Sequence, residues 1–480
     1  MNVPNIPIAQ LIKNLSLVII SVVALASCTS APKIIVDVAI KNVNIINLET
    51  GQISTSNIYL KDNNVAQIEE AFKNSNYNAK KTIDGTGKYA LPGFWDNHMH
   101  FRGGDSLVTA NKKFLKLLIA NGITTVRDAG GDLTSSVLEW RKAIENNELI
   151  GPTIFTSGPK IDGPGATWAG SLEVENEADI SRALDSLQSI PTDFVKIYDS
   201  RISGANYLKT IQEAKNRNLI VSGHMPFTVE LDATIDAGID AIEHLYYVMK
   251  GCSSNEKEIT EQMMNDEIGF WDAMPLLQSS FTDSTAINTF NTLKQNKVFV
   301  VPTLHIGGIL SYLDEVDHAK DSYLQYMSPG IQKTYQGRIE RVENATEKQV
   351  ADRKSLHHFF GELAYKLNKN GVSLLAGSDS GAYNSYTYPG ISLHKELEAM
   401  VAAGISPFEA LRTSASNGAK FLKKDTDYGT ISKDKIADIV LLNSNPLKNI
   451  KNTTDIYMVF SQGNIHTAKA LDNLLKSSVN

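Results

Sequence analysis

Cysteine is almost absent. The 480 residues hold two, Cys28 and Cys252, so neither a disulfide framework nor a Cys-rich zinc module can be built. A basic excess is missing too: Lys and Arg number 46 against 53 Asp and Glu, a net charge of −7. A chain without a basic face is a poor partner for nucleic-acid phosphate. The apolar run Leu15–Ala26, 12 residues long, falls short of the ~20 residues that span a bilayer. Internal repeats and low-complexity tracts are absent as well. What is present is enough apolar material for a large core: 42% hydrophobic and 21% charged residues exclude disorder, and the length suits one large domain with a satellite.

The first residues read as an address. Lys13 is the sole charge before position 28, and the run Leu15–Ala26 has the length of a signal-peptide hydrophobic region. It ends in Leu25-Ala26-Ser27-Cys28, which looks like a bacterial lipobox. Residues 1–27 are therefore expected to be a lipoprotein signal peptide, with Cys28 the lipidated first residue of an exported chain anchored to the cell envelope. Thr29 follows the cysteine where an inner-membrane retention signal would place aspartate, which favours the outer membrane or periplasmic face. The lipid would be the only membrane contact.

From residue 34 short alternating strands appear, IIVDVAIKNVNIIN and SNIYLKDNNVAQIEE, with Asp62-Asn63-Asn64 as a turn; similar texture returns in ISKDKIADIVLLN and TDIYMVFSQGNIH. Segments 28–90 and 426–480 are expected to build one small β-sandwich from both chain ends. Between them, residues 91–425 alternate strand-length apolar runs with stretches of helical period. Eight runs can be counted: Gly93–Trp95, Ile123–Val126, Thr153–Phe155, Phe194–Ile197, Leu219–Val221, Ala241–Glu243, Val298–Val301 and Ser373–Ala376. That pattern predicts an α/β fold, a TIM (β/α)8 barrel, with helices in 250–297 lying over one rim.

In such a barrel chemistry gathers where strands end. Here the ends carry His98 and His100, Lys196, His224, His244, His305 and Asp379. Ten histidines scattered at random would not put five there. His98 and His100, two apart on a strand, point to the same side; with two further histidines and a carboxylate they make the N/O donor set that zinc takes. Lys196, in FVKIY, leaves two readings open. A lysine buried in a barrel loses its hydration and its high pKa, and the neutral amine can add CO2 to give a metal-bridging carbamate; otherwise it snorkels to the rim or pairs with a carboxylate.

The ensemble resembles the amidohydrolase superfamily, in its imidazolonepropionase-like and prolidase-like branch. The resemblance rests on LPGFWDNHMH, GITTVRDAGG, DFVKIYDS, SGHMP, DAIEHLY, LLAGSDSG, SPFEALRTSASNGAKFL and ADIVLLNSNPL, in order over nearly the whole mature chain. It implies two divalent ions, zinc by default, with His98, His100 and Asp379 on one, His224 and His244 on the other, and carbamylated Lys196 between them. It further implies hydrolysis of an amide or cyclic amide by a metal-bridged hydroxide, with Asp379 moving the proton. The alternative is a dipeptidase of the prolidase type; a remoter one is a lipid-anchored binding protein without catalysis. Lys196 separates the chain from true imidazolonepropionases, which are mononuclear and lack it. The Gly-Gly-His-Gly stretch of some relatives is replaced by GPKIDGPGATWAGS, so substrate contacts there must differ.

His305, Tyr246 and Arg102 are candidate substrate contacts near the mouth. His357-His358 are expected to be a solvated surface pair and His394 part of an ordinary helix face. Asp128 after Arg127 is expected in a structural ion pair or turn, His466 in a structural role, and Trp95 and Trp168 in packing.

Overall fold

The computed structural model describes residues 33–73 and 75–479. Residues 1–32, with the signal segment and Cys28, lie outside the described residues. Five strands open the described chain: β1 (Ile34–Ile46), β2 (Ile53–Lys61), β3 (Asn64–Glu70), β4 (Tyr77–Asp84) and β5 (Tyr89–Pro92). The β2–β3 turn sits on Asp62 and Asn63, both with positive φ, residues that tolerate that region. Asn42 likewise takes positive φ at the irregularity in the β1–β2 ladder between Ile40 and Val43, so the strand bends there.

Seven of the eight expected apolar runs form parallel strands: β6 (Phe94–Met99), β7 (Ile123–Asp128), β8 (Thr153–Thr156), then β11 (Val195–Ile197), β12 (Val221–Gly223), β13 (Ala241–Glu243) and β14 (Phe299–Val301). Two short strands, β9 (Ile161–Asp162) and β10 (Leu172–Glu173), come between. Helices separate them, among them Val108–Ala120 and Gly204–Asn216, each with an apolar face in the core. Gly204–Asn216 is capped by Ser203, whose hydroxyl accepts from the Asn206 N–H at 3.2 Å. Residues 250–297 form the helices Glu256–Met264, Phe270–Ser279 and Asp283–Gln295.

The parallel strands lie in two sheets, β6-β7-β8 and β10-β9-β11-β12-β13-β14, and not in one closed ring. The expected eighth strand, Ser373–Ala376, is reduced to isolated bridges, Leu374 with Val300 and Ser380 with Met99. The cause is local. A Cβ on Gly377 would stand 2.4 Å from His98 Cβ, and Asp379 has φ of 52°, so the segment bends instead of running on. Its amides and carbonyls still bond both neighbours: Leu375 N–H to Val300 O at 2.9 Å, Ala376 O from Asn97 N–H at 2.9 Å, and Asp379 N–H to His98 O at 2.7 Å.

The chain then returns to the first sheet through β15 (Ile439–Leu442), β16 (Ile456–Ser461) and β17 (Asn464–Thr467). β15 pairs antiparallel with β5, Ile439 opposite Pro92 and Leu442 opposite Tyr89. Both chain ends thus share one eight-stranded sheet, ordered β17-β16-β15-β5-β1-β2-β3 with β4 on β1. Ile40, Val43, Ile58, Leu60, Ile439, Leu441 and Phe460 pack on one of its faces; Val36, Ala39 and Tyr59 form a separate cluster. No helix among the described residues is long and apolar enough to cross a membrane.

Candidate metal centre

Every residue of β6 is buried. Alternation sends Asn97 one way and His98 the other. Asn97 Nδ2 ties down the carbonyl of Ala376 at 3.0 Å. Asp96 accepts the N–H of Ser378 at 2.9 Å, which fixes the bend that carries Asp379. The ligand-bearing atoms of His98, His100 and Asp379 come within 4.8 Å of one another. Asp379 Oδ1 stands 3.4 Å from His98 Nε2 and 3.2 Å from His100 Nε2.

His224 follows β12 and His244 follows β13, and their rings join the group. Centroids are 5.1 Å apart for His98–His244 and 4.9 Å for His224–His244. Each of the four rings has its Nδ1 engaged: His98 with Glu243, His100 with Gly130 O at 2.8 Å, His224 with Asp199 at 3.0 Å, and His244 with Thr303 Oγ1 at 2.7 Å. An imidazole that donates from Nδ1 keeps its lone pair on Nε2, which is how second-sphere partners prepare metal-binding histidines. At His100 the partner is a carbonyl, which can only accept, so Nδ1 carries the proton. The Nε2 lone pair and the Asp379 oxygen then face each other at 3.2 Å, an arrangement that a shared cation relieves.

The electrostatics agree. Burial holds His100 and His244 well below the usual histidine range and lowers His224. Asp379 is held well below the usual carboxylate range, because the imidazoles around it, His100 and His98 first, outweigh its burial. Lys196 is buried, with Nζ 3.5 Å from Glu243 Oε1 and no closer partner among the described residues; burial lowers it to about 8. His244, Asp379 and Thr303 all have positive φ, at 70°, 52° and 49°. For Thr303, β-branched, this is strained backbone of the kind found where geometry is fixed by function.

A family model, the amidohydrolase family, matches residues 89–466. The chain belongs to the amidohydrolase family. Among relatives, this amidohydrolase is 26% identical to an adenine deaminase of Staphylothermus marinus over 74% of its own length and 60% of that protein's. It is 22% identical to the ochratoxinase of Aspergillus niger over 75% and 71%. The chain spans 60% of the adenine deaminase's length, less than two thirds. Solved structures of similar fold include a bottromycin amidohydrolase, TM-score 0.72 at 20% identity over 92% of this chain and 89% of that one. Another is a putative prolidase from Bifidobacterium longum, TM-score 0.65 at 21% identity over 93% and 100%.

The remaining expected residues are placed as follows. Arg102 is buried and donates from Nε to Ala382 O at 2.8 Å, with its guanidinium 4.2 Å from the Trp168 ring centroid. Tyr246 sits among Phe270, Trp271 and Phe360, at 5.3, 6.1 and 5.0 Å. His305 lies in the first turn of the helix Leu304–Ser311; the charges around its ring are Lys395, His318, Asp321 and His357, and burial lowers it to about 4.

Two readings of single residues need correction, while Asp128 ends its strand in a structural role, as expected. It accepts from Phe101 N–H at 3.2 Å and Thr156 Oγ1 at 2.8 Å, while Arg127 reaches Glu243 at 3.0 Å. His394 is fully buried, bonded to Asn121 O at 2.8 Å and Thr453 Oγ1 at 3.0 Å, because its helix lies beneath the returning C-terminal segment. Of the histidine pair, only His358 is exposed; His357 is half-buried against Gly307 and Gly308.

Sequence reasoning missed Glu243, Asp199, Thr303 and Lys160. Glu243 alone joins His98, Arg127, Lys196 and Ser222 Oγ at 2.8 Å. The signal was a carboxylate inside the buried run Ala241–Glu243, where a charge survives only among partners.

Proposed function

We propose that this amidohydrolase is a metal-dependent hydrolase of carbon–nitrogen bonds, acting on an amide, cyclic or linear. The observation that carries the reading is the set of four imidazoles, each with Nδ1 engaged, gathered beside Asp379 and Lys196. Their donor chemistry fits two divalent ions, zinc by default: His98, His100 and Asp379 would hold one, His224 and His244 the other, and Lys196, as a carbamate, would join them. Such ions supply Lewis acidity and lower the pKa of water to about 7.

The chain's own residues do the rest. Asn384 Nδ2 holds Asp379 Oδ1 at 2.7 Å and so aims the carboxylate. Asp379 takes the proton of the attacking water and passes it to the leaving nitrogen. Glu243 keeps His98 oriented and balances the charge of Arg127 inside the core, and that of Lys196 only until its amine takes up CO2. Tyr246 and the aromatic side chains around it form an apolar wall that sheds water from the bound substrate.

The finer architecture belongs to the same proposal. The two parallel sheets are read as arcs of a (β/α)8 barrel within 91–425, and the eight-stranded sheet shared by 33–73, 75–90 and 426–479 as a small sandwich folded over the cluster around Ile40 and Ile58. The exported, lipid-anchored state through Cys28 rests on residues 15–28 alone. The test is metal analysis of the purified 28–480 protein, together with hydrolysis assays on dipeptides, N-acyl amino acids and cyclic amides, before and after chelation. Bound metal with chelator-sensitive hydrolysis is expected. Metal-free protein that regains neither metal nor hydrolysis on incubation with zinc and bicarbonate would leave the binding-protein alternative.

A further inference from the structure

Beside the imidazole cluster lies a cavity of about 210 Å³, lined by Arg102, Gly131, Asp132, Lys160, Trp168 and Tyr383 among others. Two of these side chains are buried cations: Lys160 is 3% exposed and Arg102 4%. Among the described residues Lys160 Nζ has no hydrogen-bond partner. It stands 4.8 Å from the centroid of Trp168 and 5.5 Å from that of Tyr198. The Arg102 guanidinium shares the Trp168 ring at 4.2 Å and lies 5.8 Å from Tyr383. Among the described residues neither cation is in an ion pair, although the charge of Asp379 acts on both and that of Asp128 on Lys160. The one carboxylate on the lining, Asp132, is committed through Oδ1 to the Gly103 N–H at 2.8 Å.

Two cations taken out of water side by side are costly unless an anion joins them. Burial and the charge of Arg102 hold Lys160 well below the usual lysine range, so the pocket by itself resists its own full charge. A carboxylate would satisfy both groups: the guanidinium fork matches its two oxygens, the ammonium takes a remaining lone pair, and the indole covers its flat face. The pocket also adjoins the cluster. A Cβ on Gly130 would stand 2.8 Å from Lys160 Cγ, and the Gly130 carbonyl is the partner of His100 Nδ1. A group held by Lys160 therefore leaves the rest of a small molecule against the metal-side histidines.

We infer that Lys160, Arg102 and Trp168 form a subsite for a carboxylate of the substrate, which makes the substrate an acidic amide, an N-acyl amino acid or short peptide with a free carboxyl group, and not a neutral cyclic amide. This rests on the hydrolytic reading of the cluster, so the test separates the two. Metal-stripped 28–480 protein is titrated with N-benzoylglycine and with its neutral counterpart N-benzoylglycinamide, following tryptophan fluorescence and heat. The acid should bind at least about tenfold tighter. Lys160→Gln should abolish the preference and Lys160→Arg keep most of it, with melting curves showing that both variants fold. Equal binding of acid and amide overturns the inference, even if the metal-loaded enzyme hydrolyses amides. So does a preference that survives Lys160→Gln unchanged, or inorganic phosphate binding as tightly as the acid. Acid-selective binding without hydrolysis of any acidic amide by the metal-loaded protein leaves the subsite standing and sinks the hydrolase reading instead.

Discussion

Thr303 Oγ1 lies 2.7 Å from His244 Nδ1 and donates its own proton to the carbonyl of Pro302 at 2.8 Å. The hydroxyl has one proton, so toward His244 it can only accept, and the imidazole must carry its hydrogen on Nδ1. The threonine reaches this place from a left-handed backbone, φ 49° and ψ 50°. Glu396 secures it from behind by accepting the N–H groups of Leu304 and His305 at 3.0 and 2.7 Å.

Thr303→Val removes the acceptor and keeps the shape. Metal affinity should fall about 10- to 100-fold, the usual effect of losing a histidine's outer partner. Thr303→Ser, which restores the hydroxyl, should recover most of it. Competition with a zinc-selective dye measures both. Unchanged affinity in the valine variant would mean that Thr303 does not orient His244.

Glu243→Gln leaves Arg127 without its buried counter-charge. Removing one member of a buried ion pair costs about 3–5 kcal/mol, so urea unfolding should show a loss of that order. Glu243→Ala should lose at least as much, because Ser222 and His98 also lose a partner. A loss below about 1 kcal/mol in both variants would show the cluster to be solvated.

Lys196→Ala should lose metal and activity together. Short carboxylic acids added to the assay, standing in for a carbamate, should restore part of both; this separates a bridging role from packing, which acids cannot restore. The prediction fails if metal content is unaltered in the variant.

How much of this was legible beforehand follows from how far each residue's role extends along the chain. His98 and His100 announce themselves by spacing on one strand. Seven parallel strands followed from apolar runs with polar ends. The eighth did not, because Gly377 and Asp379 bend the segment against His98, a contact between positions nearly three hundred residues apart. Glu243, Asp199 and Thr303 serve histidines on other strands, and no local pattern names such a partner. Lys160 was readable only as a departure, a lysine where some relatives carry glycine and histidine; that its amine lacks an anion is a fact of packing.

Asp438, just before β15, offers a test of the fold through pH. Its Oδ1 accepts the Gln462 N–H at 3.0 Å, its Oδ2 is buried without a partner, and burial pushes its pKa up to about 7. In the unfolded chain the same group ionises near the ordinary aspartate value of about 4. Between about pH 4 and 7 the folded protein therefore holds a proton that the unfolded chain has lost, so this residue's contribution falls as pH rises through that window and is constant below it. Charging it inside the fold costs up to about 4 kcal/mol by linkage. Asp438→Asn cannot ionise. Urea midpoints at about pH 5 and pH 8 should drop between the two for the natural protein and drop less for the variant; parallel pH dependence in the two proteins would show that Asp438 titrates as an ordinary solvated carboxylate.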